Sequence, residues 1–107
     1  FMEALSMDII SRLQKAQESI GNERNAKIMF DIQDYHISPK DGARLAKKAN
    51  VKHLVFYHLA PAPVISLMAE VFTRGVDEIF NDFTLADDGT HVVLPKDSKE
   101  IKISNIN

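Results

Sequence analysis

The chain of 107 residues contains no cysteine, which excludes disulfide bonds, thiolate zinc sites and cysteine nucleophiles from it. It also lacks an excess of basic residues. The 13 Lys and Arg and the 15 Asp and Glu give a formal net charge of −2, so the overall basic character of many nucleic-acid-binding proteins is missing. Its longest apolar run falls well short of the roughly 20 residues that a membrane helix needs, and no signal-peptide pattern opens it.

Several common catalytic motifs are missing as well. The sequence has no P-loop, no G-x-S-x-G nucleophile elbow, no G-x-G-x-x-G dinucleotide motif and no H-E-x-x-H metal motif. The basic residues of 40–48 lack the interleaved aromatic side chains of a single-strand binder, so we interpret them as a solvated helix face. What is present is an ordinary globular composition, with 45% apolar and 26% charged residues.

Apolar residues at steps of three and four predict helices over 6–20, 23–32, 38–50 and 64–74. Ser6 is a suitable N-cap for the first of them. Ser38-Pro39 with Asp41 forms a capping-box pattern for the third, whose small residues would let it lie close to a sheet.

Two regions have strand character. Residues 51–57 contain a short apolar run, which favours a strand buried on both faces as in a parallel sheet; His58 would end it, and Pro61 prevents its continuation. Residues 83–94 surround Asp87-Asp88-Gly89 and predict a β-hairpin, and the tail from Lys99 would be an edge strand or a loose end. We therefore expect an α/β fold, and most of the phenylalanines, Phe30 included, in its core.

Histidines are the main candidates for chemistry. His58 follows a buried strand, and ligands of open α/β sheets bind outside the carboxyl ends of strands. His36 precedes a capped helix, whose N-terminus disfavours a cation and suits a neutral base or ligand. A structural role in loop packing is the alternative for both, whereas we interpret His53 and His91 as structural or surface residues within strands. Glu3, Asp31 and Asp34 could add oxygen ligands, but nothing in the sequence places them near His58.

The segments around these two histidines resemble a known family. Asp34-Tyr35-His36-Ile37-Ser38-Pro39 and the strand ending Phe56-Tyr57-His58-Leu59, with their spacing, resemble the C-terminal part of metallo-β-lactamase-fold hydrolases, in particular the ribonuclease Z and arylsulfatase-like branch. The opening Met2-Glu3-Ala4 resembles a strand end that this family writes His-Glu-Ala. Met2 in place of histidine, and the absence of a Ser-Arg-Tyr-like ending after His58, depart from the ribonuclease Z pattern and favour a small-molecule substrate over RNA.

The resemblance implies that residues 1–107 are the C-terminal part of a single αββα domain whose N-terminal metal-binding half lies outside this sequence. It implies a metal-dependent hydrolase acting on an ester, amide, sulfate- or phosphodiester-type substrate, with about two zinc ions held mostly by residues elsewhere. His58 matches the last metal ligand of the family, and His36 matches its proton donor or oxyanion stabiliser. The expected partners are the substrate and the N-terminal part of the same protein.

Two alternatives remain open at this stage. The chain could be a non-catalytic α/β interaction module with structural histidines, which would use Ile- and Phe-rich surface to form a homo-oligomer. It could also belong to an RNA-processing nuclease of the ribonuclease Z kind.

Overall fold

The structure, a computed structural model, describes residues 1–107. Its strands are β1 (Met2–Leu5), β2 (Leu54–Ala60), β3 (Phe83–Leu85), β4 (Thr90–Val93) and β5 (Lys102–Asn105). Its helices are α1 (Met7–Ser19), α2 (Glu23–Asp31), α3 (Pro39–Ala49) and α4 (Ser66–Thr73), with a single 3₁₀ turn over Ile32–Asp34. The chain is therefore of mixed α/β type, as predicted.

Both serine caps lie where the sequence predicts them. Ser6 Oγ accepts a hydrogen bond from the backbone N–H of Ile9 at 3.4 Å, and Ser38 Oγ accepts one from Asp41 at 3.2 Å. Each occupies one of the amide groups that a helix start leaves without a partner. The Asp41 carboxylate accepts from Arg44 at 2.5 Å, so it forms an ion pair within α3.

The larger sheet is parallel throughout, with strand order β1-β2-β3. Strand β2 lies in the centre, and its buried residues Leu54, Val55 and Phe56 explain the apolar run in the sequence. The segment α1–α3 connects β1 to β2, and α4 connects β2 to β3. The predicted parallel strand is thus confirmed, although it starts later and continues past His58 to Ala60.

The hairpin predicted over 83–94 is wrong. Strand β3 pairs in parallel with β2, and β4 pairs in antiparallel with β5, which resolves the tail as a strand. The turn itself is real, since Gly89 has a φ of 99° and the Asp87 carboxylate accepts a hydrogen bond from Thr90 Oγ1. It does not close a hairpin, because the strand before it pairs with β2, where Phe83 packs edge-on against Phe56 at 6.2 Å between ring centroids. That contact keeps β3 beside β2.

The core lies between the larger sheet and helices α3 and α4. Helix α3 comes so close that a Cβ on Gly42 would lie 2.9 Å from the Phe56 ring. The prediction for Phe30 is wrong, because its side chain is 59% exposed on α2. The buried residues of this core are Ala4, Ala43, Ala46, Leu54, Phe56, Phe72 and Val76.

This core is small for the length of the chain. Only 14 of 107 residues are buried, and the Cα radius of gyration is 15.8 Å, compared with about 13 Å for a compact domain of this size. Much apolar surface consequently stays in contact with solvent. None of the helices combines the length and the apolar character that crossing a membrane requires.

Candidate functional site

His58 lies in a bulge between β1 and β2. Glu3 is opposite Tyr57 and Ala4 is opposite Leu59, so His58 is the extra residue between them. Its φ of 47° is in the left-handed region, which histidine enters more readily than most residues. The sequence predicted that His58 ends its strand, whereas in the structure His58 lies within β2, at an irregularity.

The bulge determines where the His58 side chain lies. Leu54 and Phe56 face the core, and strict alternation would direct residue 58 to the same side. The extra residue shifts this alternation, so that Leu59 packs against the core and His58 is exposed. Re-aiming a side chain is a common role of bulges beside functional sites.

His36 is held by the carboxylate of Glu3. The His36 Nδ1 atom lies 2.9 Å from Glu3 Oε2, and the backbone N–H of Ile37 donates to Glu3 Oε1 at 3.0 Å. The backbone N–H of Leu5 in turn donates to the Ile37 carbonyl at 2.8 Å. These bonds attach the loop before α3 to the edge of β1 that β2 leaves open.

The contact with Glu3 also determines which nitrogen of the His36 ring carries a proton. An ionised carboxylate only accepts hydrogen bonds, so Nδ1 must carry the proton toward Glu3. The Nε2 atom has no hydrogen-bond partner within the protein, and the Tyr35 ring lies beside the imidazole at 5.1 Å between centroids. His36 is therefore oriented and partly shielded, with a side-chain exposure of 21%, and one ring nitrogen stays available.

The structure brings the two histidines together. The ring centroids of His36 and His58 are 6.4 Å apart, with an angle of 44° between the ring planes. This separation is too large for a direct hydrogen bond between the rings but small enough for one bound group to contact both. Two imidazoles that are distant in sequence thus face a common region beside β1 and β2.

A cleft of about 640 Å³ opens next to His58. Tyr57 and His58 line one part of it, and Asp87 and Asp88, which follow β3, line another. Asp87 accepts hydrogen bonds from Thr90 Oγ1 and from Asn105 Nδ2, at 2.8 and 2.9 Å, so its carboxylate is part of the turn. The cleft lies where the parallel strands β2 and β3 end, the usual ligand position in open α/β sheets.

The other candidates lie elsewhere. His53 immediately precedes β2, and its Nε2 lies 2.8 Å from Thr84 Oγ1, which is a structural contact. His91 is exposed on β4. Asp31 pairs with Lys27 at 2.6 Å, and no side-chain bond of Asp34 connects it to the histidines.

The donor set of this chain falls short of a complete metal site. A catalytic zinc ion takes about three protein ligands, whereas no group of three or more histidine and carboxylate side chains here is arranged to hold a metal ion. The exposed His58 imidazole is a suitable nitrogen donor. It fits a metal as one ligand of a larger set and not as a site by itself.

The role of Glu3 is not evident from the sequence. The sequence indicates only a possible oxygen donor for a metal at this position, whereas in the structure Glu3 is the partner of His36. The two lie 33 positions apart in the chain. The available signal was the resemblance of Met2-Glu3-Ala4 to a strand end of the hydrolase family.

Comparisons with known proteins add no family to this description: no protein-family model, no curated protein and no solved structure matches the chain.

Proposed function

We propose that this chain is part of a metal-dependent hydrolase, in which His36 handles a proton and His58 supplies one metal ligand. The observation that carries the proposal is the pair of imidazoles 6.4 Å apart, one held by Glu3 and the other exposed at a bulge. The resemblance to metallo-β-lactamase-fold hydrolases agrees with this assignment and remains a proposal. The substrate would be a small ester, amide, sulfate ester or phosphodiester.

The role of His36 follows from its contact with Glu3. The carboxylate accepts the hydrogen bond of the Nδ1 proton and so directs Nε2 away from Glu3; when Nε2 also carries a proton, it can donate that proton to a leaving group. The Ile37 N–H fixes the carboxylate in turn. Because these contacts hold the imidazole in place, it is already oriented when the substrate binds, which reduces the entropic cost of positioning it.

The role of His58 is that of a ligand. Its imidazole has no hydrogen-bond partner in the chain, and the bulge holds it away from the core. A bound zinc ion would supply an activated water for attack on the substrate. Since the chain lacks three convergent ligands, the proposal requires the remaining ligands to come from other parts of the protein.

The test compares histidine variants of the full-length protein. Metal content is measured by plasma mass spectrometry, and hydrolysis is measured on p-nitrophenyl acetate, p-nitrophenyl sulfate and bis-p-nitrophenyl phosphate. His58→Ala should lower both metal content and turnover. His36→Ala should keep the metal but lower turnover by about 10²–10⁴-fold, the usual contribution of a positioned acid or base.

His91→Ala is the matched control, since His91 is an exposed histidine on β4 whose side chain forms no hydrogen bond within the chain. It should change neither quantity. Full metal content with unchanged turnover in His58→Ala would refute the assignment.

A non-catalytic interaction module is the second candidate. The small core and the exposed apolar side chains favour it, because surface of this kind is often covered by another protein. Absence of zinc binding by the full-length protein, together with a cooperative unfolding transition of residues 1–107 alone, would favour this function over hydrolysis.

A further inference from the structure

A groove between α1 and α4 is lined by four apolar side chains, two arginines and one aspartate. Its volume is about 360 Å³, and it shares no residue with the candidate site. We refer to it as the α1–α4 groove, lined by Asp8, Ile9, Arg12, Leu67, Met68, Val71 and Arg74.

The apolar part of the lining belongs largely to α4, a helix that has few packing partners. Helix α4 reads Ser-Leu-Met-Ala-Glu-Val-Phe-Thr, with a single charged residue, and such a helix is normally enclosed on most sides. Phe72 is its one buried residue, and Leu67 is 62% exposed. The side of α4 that bears Leu67, Met68 and Val71 therefore faces the groove without a cover.

The charges at the groove are unbalanced. Arg12 on α1 and Arg74 at the end of α4 are exposed and form no ion pair, whereas Arg44 of α3 pairs with Asp41. Asp8 is the single carboxylate in the lining. A neighbouring cleft of about 260 Å³ shares Asp8 and Arg74 and adds Lys40. The linings of the two clefts together therefore contain three cationic side chains and one carboxylate.

We propose that the α1–α4 groove binds an acidic amphipathic helix of a partner protein. Apolar side chains of that helix, at steps of three and four, would pack on Ile9, Leu67 and Val71, and flanking Glu or Asp side chains would pair with Arg12 and Arg74. Helix-in-groove binding of this kind uses an apolar stripe for affinity and charge complementarity for orientation. The position between two helices suits a helix, because neither wall offers open backbone groups to a strand.

The experiment uses fluorescence anisotropy with the full-length protein and two synthetic peptides. Each peptide has about 15 residues, or about four helical turns, with leucines at steps of three and four. The flanking residues are glutamate in one and lysine in the other. The glutamate peptide should bind, and the double variant Arg12→Glu/Arg74→Glu should weaken it by roughly tenfold or more, as expected for central interface residues.

Two further variants distinguish binding at the groove from a general effect of charge and from an effect of unfolding. Arg24→Glu makes a matched change at an exposed, unpaired arginine on α2 and should leave binding unchanged. Leu67→Ser removes an apolar contact from a largely exposed position, so it should weaken binding while leaving the circular dichroism spectrum and melting temperature unaltered.

Four outcomes would overturn the proposal. They are equal binding of the lysine peptide, equal loss of binding in Arg24→Glu, a dimer in sedimentation that Leu67→Ser dissociates, and binding to phosphatidylglycerol vesicles without binding to the glutamate peptide. The last two would assign the groove to a second copy of the chain or to an anionic lipid surface. Loss or retention of hydrolysis in the His58 and His36 variants bears on the proposed activity alone.

Discussion

Replacing Glu3 perturbs the contact on which the candidate site depends. Glu3→Ala removes the hydrogen bonds to His36 Nδ1 and to the Ile37 N–H. Hydrogen bonds to charged groups contribute about 1.5–3 kcal/mol each. Water replaces part of this contribution, since the Glu3 and His36 side chains are 29% and 21% exposed. We therefore expect the two bonds together to account for about 2–3 kcal/mol of the free energy of unfolding.

Glu3→Gln separates the hydrogen bonds from the charge. The amide oxygen can still accept from the Ile37 N–H, and the amide N–H can donate to His36 Nδ1. The imidazole must then present a lone pair at Nδ1 and carry its proton on Nε2. Stability should fall by only about 1 kcal/mol, the difference between charged and neutral hydrogen bonds, while the ring changes tautomer.

Urea unfolding of the full-length protein measures the stability difference, and long-range ¹H–¹⁵N NMR of the histidine rings identifies the tautomer. Glu100→Ala is the matched control, because Glu100 is an exposed carboxylate 3.8 Å from Lys102, a pair expected to contribute about 0–1 kcal/mol. If Glu3→Ala lowered the free energy of unfolding by less than about 0.5 kcal/mol, as an ordinary surface change does, the Glu3 hydrogen bonds would not stabilise the fold as predicted. An Nε2-protonated neutral ring in the unaltered protein would likewise contradict the predicted contact.

Two further predictions concern the backbone around the site. Gly42→Ala should lower stability by about 1–2 kcal/mol, because its Cβ would lie 2.9 Å from the buried Phe56 ring, even though alanine favours helices by about 1 kcal/mol. Thermal unfolding measures this loss, and additive effects of Gly42→Ala and Phe56→Leu would contradict the predicted contact. His58→Gly should leave stability unchanged or raise it by up to about 1 kcal/mol, since glycine adopts a φ of 47° without strain, yet it should lower the metal content as His58→Ala does. A loss of several kcal/mol in urea unfolding would show that the imidazole is structural.

The candidate histidines were accessible from local sequence signals, but their surroundings were not. His36 precedes a capped helix and His58 follows an apolar run, and both features are visible within a few residues. The contact of His36 with Glu3 joins positions 33 residues apart. No periodicity or spacing encodes such a contact, because it depends on the sheet edge to which the loop returns.

The bulge at His58 is a second feature that depends on tertiary structure and not on local sequence. Alternation along β2 would assign residue 58 to the core face, and the sequence contains no glycine or proline there to indicate an irregularity. The shift exists because β1 pairs with the residues before His58 in one register and with the residues after it in another. It arises from the partner strand, so it could not be predicted from β2 alone.

The sequence by itself determined the elements whose stabilising interactions are local. The caps at Ser6 and Ser38 act within one helical turn, and the apolar run of β2 requires only that it be buried somewhere. Tertiary structure decided which strands pair. Strand β3 joins β2 because Phe83 then packs on Phe56, leaving β4 to pair with β5. Strands that are distant in sequence compete to pair with the same backbone groups and to cover the same core surface. The local sequence pattern influences which strands pair but does not decide it.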